Sequence, residues 1–347
     1  MAVYATYFDS RYLVRGVACL RSLLAHAREP VQLYVLALDD GCARLLPDLL
    51  GELPEGTTLR IERLSDFEKR HPELAPARAD RSLTEYIFTL TPFLCRDATL
   101  SASPGDWCVY IDADTFFFDD PALALRGSEA ADILLTEHRF PDAKAHQAAS
   151  YGRFNIGWLA FRNAPRAYAC LDDWAELCLR SCALLPSGET YGDQKYLDEW
   201  PARFPGIVVV GHPGLNAGPW NAARHSFAGS EGHVTVDGSP LLLFHFHRFA
   251  RWSEGLYETD YRDYGALSRA LRELVYPPYI AMLEHVWSRY RAQLADVSVQ
   301  DCRRPHPGTL PYRVIGRLTG AVRLFMRRRI VFRNGRALSP IEGLYYV

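Results

Sequence analysis

The sequence predicts an α/β fold: a mixed, mainly parallel sheet flanked by helices, with a helical appendage towards the C-terminus. Three observations predict it. Short apolar runs alternate with amphipathic stretches from Ala2 to Phe246, the pattern of a parallel sheet with helices on its faces. One such run, Val109-Tyr110-Ile111, ends in two acids, Asp112 and Asp114, and α/β sheets bind ligands at the carboxyl ends of their strands. The chain has 347 residues, 48% of them apolar. That is enough for one large α/β domain plus an appendage, and it excludes a disordered chain.

Each element follows from its pattern. Ala2 to Tyr7 reads as a strand and Tyr12 to His26 as an amphipathic helix. Val31 to Leu38 is a second strand, closed by Asp39-Asp40-Gly41, and Cys42 to Leu50 a helix. Thr58 to Arg63 is a third strand. Ser82 to Leu100 is helical, with Pro92 expected to break it because proline lacks the amide hydrogen and clashes with the preceding turn. The strand at Val109 follows, then strands at Asp132 to Glu137 and Trp158 to Phe161, and a helix from Ala167 to Leu184. Ile207 to Val210 and Leu241 to Phe246 are later strands, and residues 260 to 295 read as helical. Pro305 to Pro311 is a linker.

Eight cysteines are present and none forms a Cys-x-x-Cys pair. Most lie in apolar runs, which suits reduced core cysteines; zinc on Cys170, Cys178 and Cys182 is the weaker reading. No signal peptide or membrane-spanning run is visible, so the expected location is cytoplasmic. The net charge of −2 hides an asymmetry. From Cys302 onward there are ten arginines, no lysine and one acid, net +9, so the remainder carries −11. On a helical wheel Val314, Leu318, Ala321, Val322 and Phe325 share one face, with Arg313, Arg317, Arg327 and Arg328 opposite. That pattern suits a helix lying on an anionic membrane surface, or a packed helix with a solvated basic face. The expected division is 1–258, a catalytic domain; 259–301, a helical extension; and 302–347, a basic segment.

Asp112 and Asp114 alternate along an extended chain, so both carboxylates share one side. Two hard oxygen ligands suit Mg²⁺ or Mn²⁺, ions that commonly complete their shells with phosphate. The residues point to a metal-dependent enzyme acting on a phosphate ester.

With its neighbours this motif resembles nucleotide-sugar glycosyltransferases of the GT-A fold, most closely the retaining family that includes glycogenin and bacterial lipopolysaccharide galactosyltransferases. The likeness covers about residues 2 to 252 and rests on five places. Thr6-Tyr7-Phe8-Asp9 with Tyr12 corresponds to the family's base-binding start, which implies that Thr6, Tyr7, Asp9 and Tyr12 hold the nucleotide. Tyr12 stacks on uracil in this reading; in the competing one it is an ordinary helix-face residue. Asp112 and Asp114 correspond to the metal motif, with Asp112 also near the ribose. Phe154-Asn155-Ile156-Gly157 matches a Phe-Asn-x-Gly motif, with Asn155 on the donor sugar or acceptor, or else simply starting a strand. Gly192-Asp193-Gln194 supplies an Asp-Gln pair for the transferred sugar, although Asp193 also suits a helix N-cap.

The fifth place is His245-Phe246-His247-Arg248-Phe249-Ala250-Arg251-Trp252, where the family has His-x-x-Gly-x-x-Lys-Pro-Trp. The resemblance gives His245 the third ligand position and Arg251 the diphosphate. His247 is the alternative ligand, with a buried structural histidine the preferred reading. Beside the site, His212 to Asn221 forms a loop in which Trp220 would stack on a sugar and Asn216 and Asn221 bind hydroxyls, unless the loop is a turn packed by Trp220.

The resemblance implies transfer of a sugar from a nucleoside diphosphate sugar, a UDP-sugar, to a glycan or lipid-linked acceptor, with Mn²⁺ or Mg²⁺ as cofactor. No nucleic-acid partner is expected. Two rivals remain. A haloacid-dehalogenase-like phosphatase would use Asp112 as nucleophile, with Asp193 and Asp198 as later acids. A non-catalytic nucleotide-sugar-binding protein would keep the fold without turnover.

Overall fold

The computed structural model describes residues 1–185, 190–253, 255–259, 264, 267–295, 330–333 and 336–337. The chain opens with β1 (Val3–Phe8), α1 (Leu13–His26), β2 (Gln32–Ala37), α2 (Asp40–Leu50) and β3 (Thr58–Arg63). Asp39 does more than close β2. Its carboxylate accepts from Cys42 N–H at 2.7 Å and so caps α2, while Asp40 and Gly41 form the helix's first turn. α3 (Leu64–Arg70), α4 (Ala75–Asp80) and α5 (Leu83–Ser101) follow.

Pro92 does not break α5, contrary to expectation: the helix runs through it for 19 residues. A capping box between Ser82 and Glu85 fixes its start. Tyr86, Leu90, Phe93 and Leu94 bury its core-facing side, and that packing outweighs one lost amide bond.

The middle of the chain supplies β4 (Trp107–Ile111), β5 (Thr115–Phe117), β6 (Ile133–Glu137), α6 (Gln147–Tyr151), β7 (Phe154–Arg162), α7 (Pro165–Arg180), α8 (Trp200–Arg203) and β8 (Ile207–Val209). α7 ends four residues before the expected Leu184. The principal sheet has the order β3-β2-β1-β4-β7-β6-β8. All its neighbouring pairs are parallel except β4–β7 and β6–β7, so β7 alone runs against the rest.

Alternation along the strands divides the core. Tyr4, Val109 and Ile111 join α1 and α2 on one face; Val3, Ala5, Cys108 and Tyr110 join α5 and α7 on the other. The seven described cysteines are all free and buried, which fits the core reading.

Beyond the sheet come β9 (Phe227–Ser230), β10 (His233–Val236), β11 (Ser239–Pro240) and β12 (Leu243–His245), shorter than the expected strand from Leu241 to Phe246. β12 pairs antiparallel with β5, setting His245 opposite Thr115. β13 (Ala250–Ser253) and β14 (Leu256–Thr259) lead to α9 (Tyr276–Arg289) and α10 (Arg291–Leu294). α9 packs on α1, and its Tyr276, Tyr279, Ile280 and Leu283 belong to the same core as Tyr4 and Val17.

The C-terminal segment departs from the expected basic helix at one place. β15 (Ile330–Arg333) pairs with β14 and then with β16 (Arg336–Ala337). Phe332 is fully buried and stacks on Tyr276 at 5.1 Å. The proposed membrane-facing helix through Val314 and Phe325, and the linker at Pro305 to Pro311, lie outside the described residues. Among the described residues no helix is long and apolar enough to cross a membrane.

Candidate active site

β4 delivers Asp112 and Asp114 just past its carboxyl end, in the turn before β5. Thr115 Oγ1 donates to Asp112 O at 2.8 Å and fixes that turn. Phe246 N–H donates to Asp114 O at 2.8 Å, which ties the end of β12 to it. The result brings His245 Nε2 to 2.9 Å from Asp114 Oδ1 and 3.7 Å from Asp112 Oδ2. The imidazole is buried, while the two carboxylates are 26% and 18% exposed, so the cluster opens to solvent on the acid side.

The electrostatics of the three groups are linked. Burial alone would raise Asp114's pKa, but the His245 charge and hydrogen bond, helped by His247 and Arg15, hold it below the usual carboxylate range. Burial raises Asp112; His245 opposes that and Asp114 adds to it. Burial would lower His245, yet Asp114 and then Asp112 raise it. Two repelling carboxylates and an imidazole in one partly dry pocket fit a divalent cation by donor chemistry.

Two further observations refine the ligand set. His247 is half-buried, not sealed in the core as preferred from sequence, and its ring nitrogen lies within 4.8 Å of the donor atoms of Asp114 and His245. Gly157 makes room for the imidazole. A Cβ there would stand 2.4 Å from His245 Nδ1 and 2.8 Å from Asn155 Oδ1. The β6–β7 ladder shifts register beside it, pairing Leu135 with Leu159 but Thr136 with Asn155, and so turns Asn155 and Gly157 towards the site.

The three amides expected to contact a sugar lie near the site and are bonded within the protein. Asn155 Oδ1 accepts from Gly157 N–H and from Asn216 Nδ2, both at 2.9 Å. Asn216 is fully buried at φ 54°, a conformation that asparagine tolerates, and also donates to Thr136 Oγ1 at 2.8 Å. Asn221, also fully buried, accepts from Gly218 N–H at 2.9 Å and donates to His138 O at 3.0 Å. These amides staple the 212–221 loop behind His245 because a sealed amide must bond internally. Trp220 is 5% exposed and meets the His245 ring edge-on at 5.0 Å. It packs against His245 and, so buried, presents no free face for a sugar.

Arg251 is likewise committed. Its Nε lies 3.2 Å from Glu284 Oε1, and its guanidinium covers Trp287 at 4.7 Å. It lines a cleft with Arg11 and Arg15. The sequence could not show this acid, 33 residues on.

At the end of β1, Thr6 is buried with an unpartnered Oγ1. Tyr7 OH pairs with Thr91 Oγ1 at 3.1 Å. Asp9 Oδ1 accepts from the Arg11 and Tyr12 amides at 2.9 and 3.2 Å, with Arg11 Nε 2.6 Å from Oδ2. Tyr12 stands exposed at the start of α1 with the Arg15 guanidinium over its ring at 4.6 Å. Burial first, then the Asp114 charge, raises its phenol pKa, which puts Tyr12 within reach of the acids' field.

Thr91 also donates to Asp193. Asp193 is 2% exposed and its Oδ2 has no partner. Burial, and then Asp112, push its pKa to about 7. It does not cap a helix: the following 3₁₀ turn, Lys195–Glu199, has Gln194 at its cap position. Gln194 donates to Tyr151 O at 2.8 Å.

Sequence reasoning missed Tyr110, whose hydroxyl donates to Asp112 Oδ1 at 2.9 Å. Its i, i+2 spacing from Asp112 was a visible signal. Thr91 and Arg15 carried no such signal. The phosphatase reading is not favoured: Asp198 bonds Arg153 N–H at 2.7 Å and Lys195 at 2.9 Å, and Asp112 follows the fourth strand of the chain, not the first.

No family model matches the chain. The uncharacterized protein YfnD of Bacillus subtilis (strain 168) is 29% identical over 283 residues, 81% of this chain and 88% of that protein. A crystal structure of an active-site mutant of LgtC is 14% identical and superposes with a TM-score of 0.50, covering 84% of this chain and all of the other. A second structure, of the galactosyltransferase LgtC with donor and acceptor sugar analogs, gives 14% identity, 90% and 99% coverage and a TM-score of 0.47. The chain has the GT-A fold: a mixed, mainly parallel sheet flanked by helices, with a helical C-terminal region.

Proposed function

We propose that this chain is a metal-dependent glycosyltransferase that moves a sugar from a UDP-sugar to a glycan or lipid-linked acceptor with retention at the anomeric carbon. The observation that carries the reading is the convergence of Asp112, Asp114 and His245 at the carboxyl edge of a GT-A sheet. In the reaction the bond between the anomeric carbon and the diphosphate oxygen breaks. A bond from that carbon to an acceptor oxygen forms, and the acceptor's proton passes to an oxygen of the departing diphosphate. Asp112, Asp114 and His245 would hold Mn²⁺ or Mg²⁺, which supplies positive charge to the departing diphosphate.

The chain's own residues do the rest. Tyr110 and Thr115 fix the Asp112 carboxylate and the turn that bears it. Tyr7, Tyr12 and Thr6, at the end of β1, form the nucleotide side of the site. Asp193, close to neutral pH in its titration, and Gln194 form the sugar side. A carboxyl that is partly protonated at pH 7 can donate a hydrogen bond to a sugar oxygen as well as accept one. In this reading residues 1–258 form the transferase domain, α9 and α10 brace it, and the basic segment from residue 302 contacts an anionic membrane.

The test is release of UDP from a panel of nucleotide sugars, without acceptor, in Mn²⁺, Mg²⁺ or chelator. One UDP-sugar should be hydrolysed in the presence of metal, and Asp114→Asn should be silent. Release of phosphate from simple phosphate esters, with no nucleotide-sugar turnover, would overturn the proposal.

A further inference from the structure

We propose that His247 is a second imidazole ligand of the site's divalent ion, and that the site therefore takes Mn²⁺ in strong preference to Mg²⁺. The inference rests on the metal-dependent reading above and narrows its cofactor.

The geometry comes from three places. The donor atoms of Asp114, His245 and His247 all lie within 4.8 Å of one another, a spacing that one ion can bridge. The Trp220 indole meets both rings edge-on, at 5.0 Å for His245 and 6.0 Å for His247. It thus backs the pair and limits their retreat from the carboxylates. The backbone after His247 is also specialised. Phe249 N–H donates to Phe246 O at 3.0 Å, closing a turn whose third residue, Arg248, has φ 57°. That conformation favours glycine, and a non-glycine residue there marks a site where the surrounding structure imposes strain. The turn that Arg248 accommodates is the one that delivers His247 to Asp114.

The chemistry follows from the ligand types. Mg²⁺ is hard and is held by oxygen and water. Imidazole nitrogen is a softer donor than carboxylate or water, and a first-row transition ion such as Mn²⁺ accepts it more readily than Mg²⁺ does. Two carboxylates with one imidazole leave both ions eligible. A second imidazole shifts the balance towards Mn²⁺.

The test is electron paramagnetic resonance of the full chain titrated with MnCl₂, with and without UDP, and with MgCl₂ as competitor. Pulsed spectra of the wild type should show two coupled imidazole nitrogens. Mg²⁺ should bind at least about tenfold more weakly than Mn²⁺. His247→Ala should show one nitrogen, lose Mn²⁺ affinity by about tenfold or more, and leave Mg²⁺ affinity within about twofold. The nitrogen count in the wild type needs no variant, so a misfolded variant does not block the test. One coupled nitrogen in the wild type, or equal affinity for the two ions, overturns this inference and leaves the transferase reading standing. Absence of any Mn²⁺ binding overturns both.

Discussion

Replacing Asp193 by Asn should flatten the pH dependence of stability. Asp193 is 2% exposed and its carboxyl is raised from 3.8 to about 7, by burial first and then by the Asp112 charge. Between those two values the native state binds more protons than the unfolded chain. The stability that this group contributes is therefore complete below pH 4 and lost as pH rises through 7. Ionising it costs the native state about 4 kcal/mol in all, more than half of it between pH 5 and pH 8. Urea denaturation of wild type and Asp193→Asn at half-unit steps across that range would measure it. The variant should gain about 2–3 kcal/mol relative to wild type on going from pH 5 to pH 8. Saturating Mn²⁺ should shrink that gain, because neutralising the charge at Asp112 removes one of the two causes. Parallel curves for the two proteins would refute the argument that Asp193 is buried without a compensating cation.

Three further outcomes follow from the same structure. Gln194→Ala should lower turnover about tenfold or more and leave UDP affinity within about twofold by calorimetry, as the proposed sugar-side role of Gln194 requires. Gly157→Ala should cost about 1–3 kcal/mol by urea denaturation, because its methyl would stand 2.4 Å from His245 Nδ1; in a His245→Ala background the cost should fall below about 1 kcal/mol, and an unchanged cost would show that the ring is not what Gly157 accommodates. Phe332→Ala should cost about 3–5 kcal/mol, as Phe332 is sealed against Tyr276. Vesicle co-sedimentation of the full chain should show anionic vesicles bound more weakly by the Arg313→Gln, Arg317→Gln variant than by wild type, and equal partitioning would contradict the membrane contact.

The sequence made the alternating elements legible because each strand's apolar run and each helix's period are local properties. It also marked Asp112 and Asp114 as an acid pair at a strand end, while His245 came from the family resemblance alone. Partners were not legible. Arg251 looked free for a diphosphate until Glu284 and Trp287, far along the chain, closed on it. Asn155, Asn216 and Asn221 looked like sugar ligands because a buried amide network and a binding site use the same residue type. Only the register shift in β7 and the loop behind β12 decide between them. Pro92 carried a real local penalty, but the packing of α5 on β1 and β4 is long-range and hidden from local reading. The pairing of Ile330–Arg333 with β14 is hidden for the same reason.

The central claim is that Asp112, Asp114 and His245 hold a divalent ion that in turn holds the diphosphate of the donor. Calorimetric titration of UDP into the full chain, with Mn²⁺ and with chelator, tests it most directly, with Asp114→Asn as the comparison. Binding should be strong with Mn²⁺ and lost both with chelator and in Asp114→Asn, while thermal unfolding shows that the variant is still folded. UDP binding of equal strength in all three samples would contradict the claim.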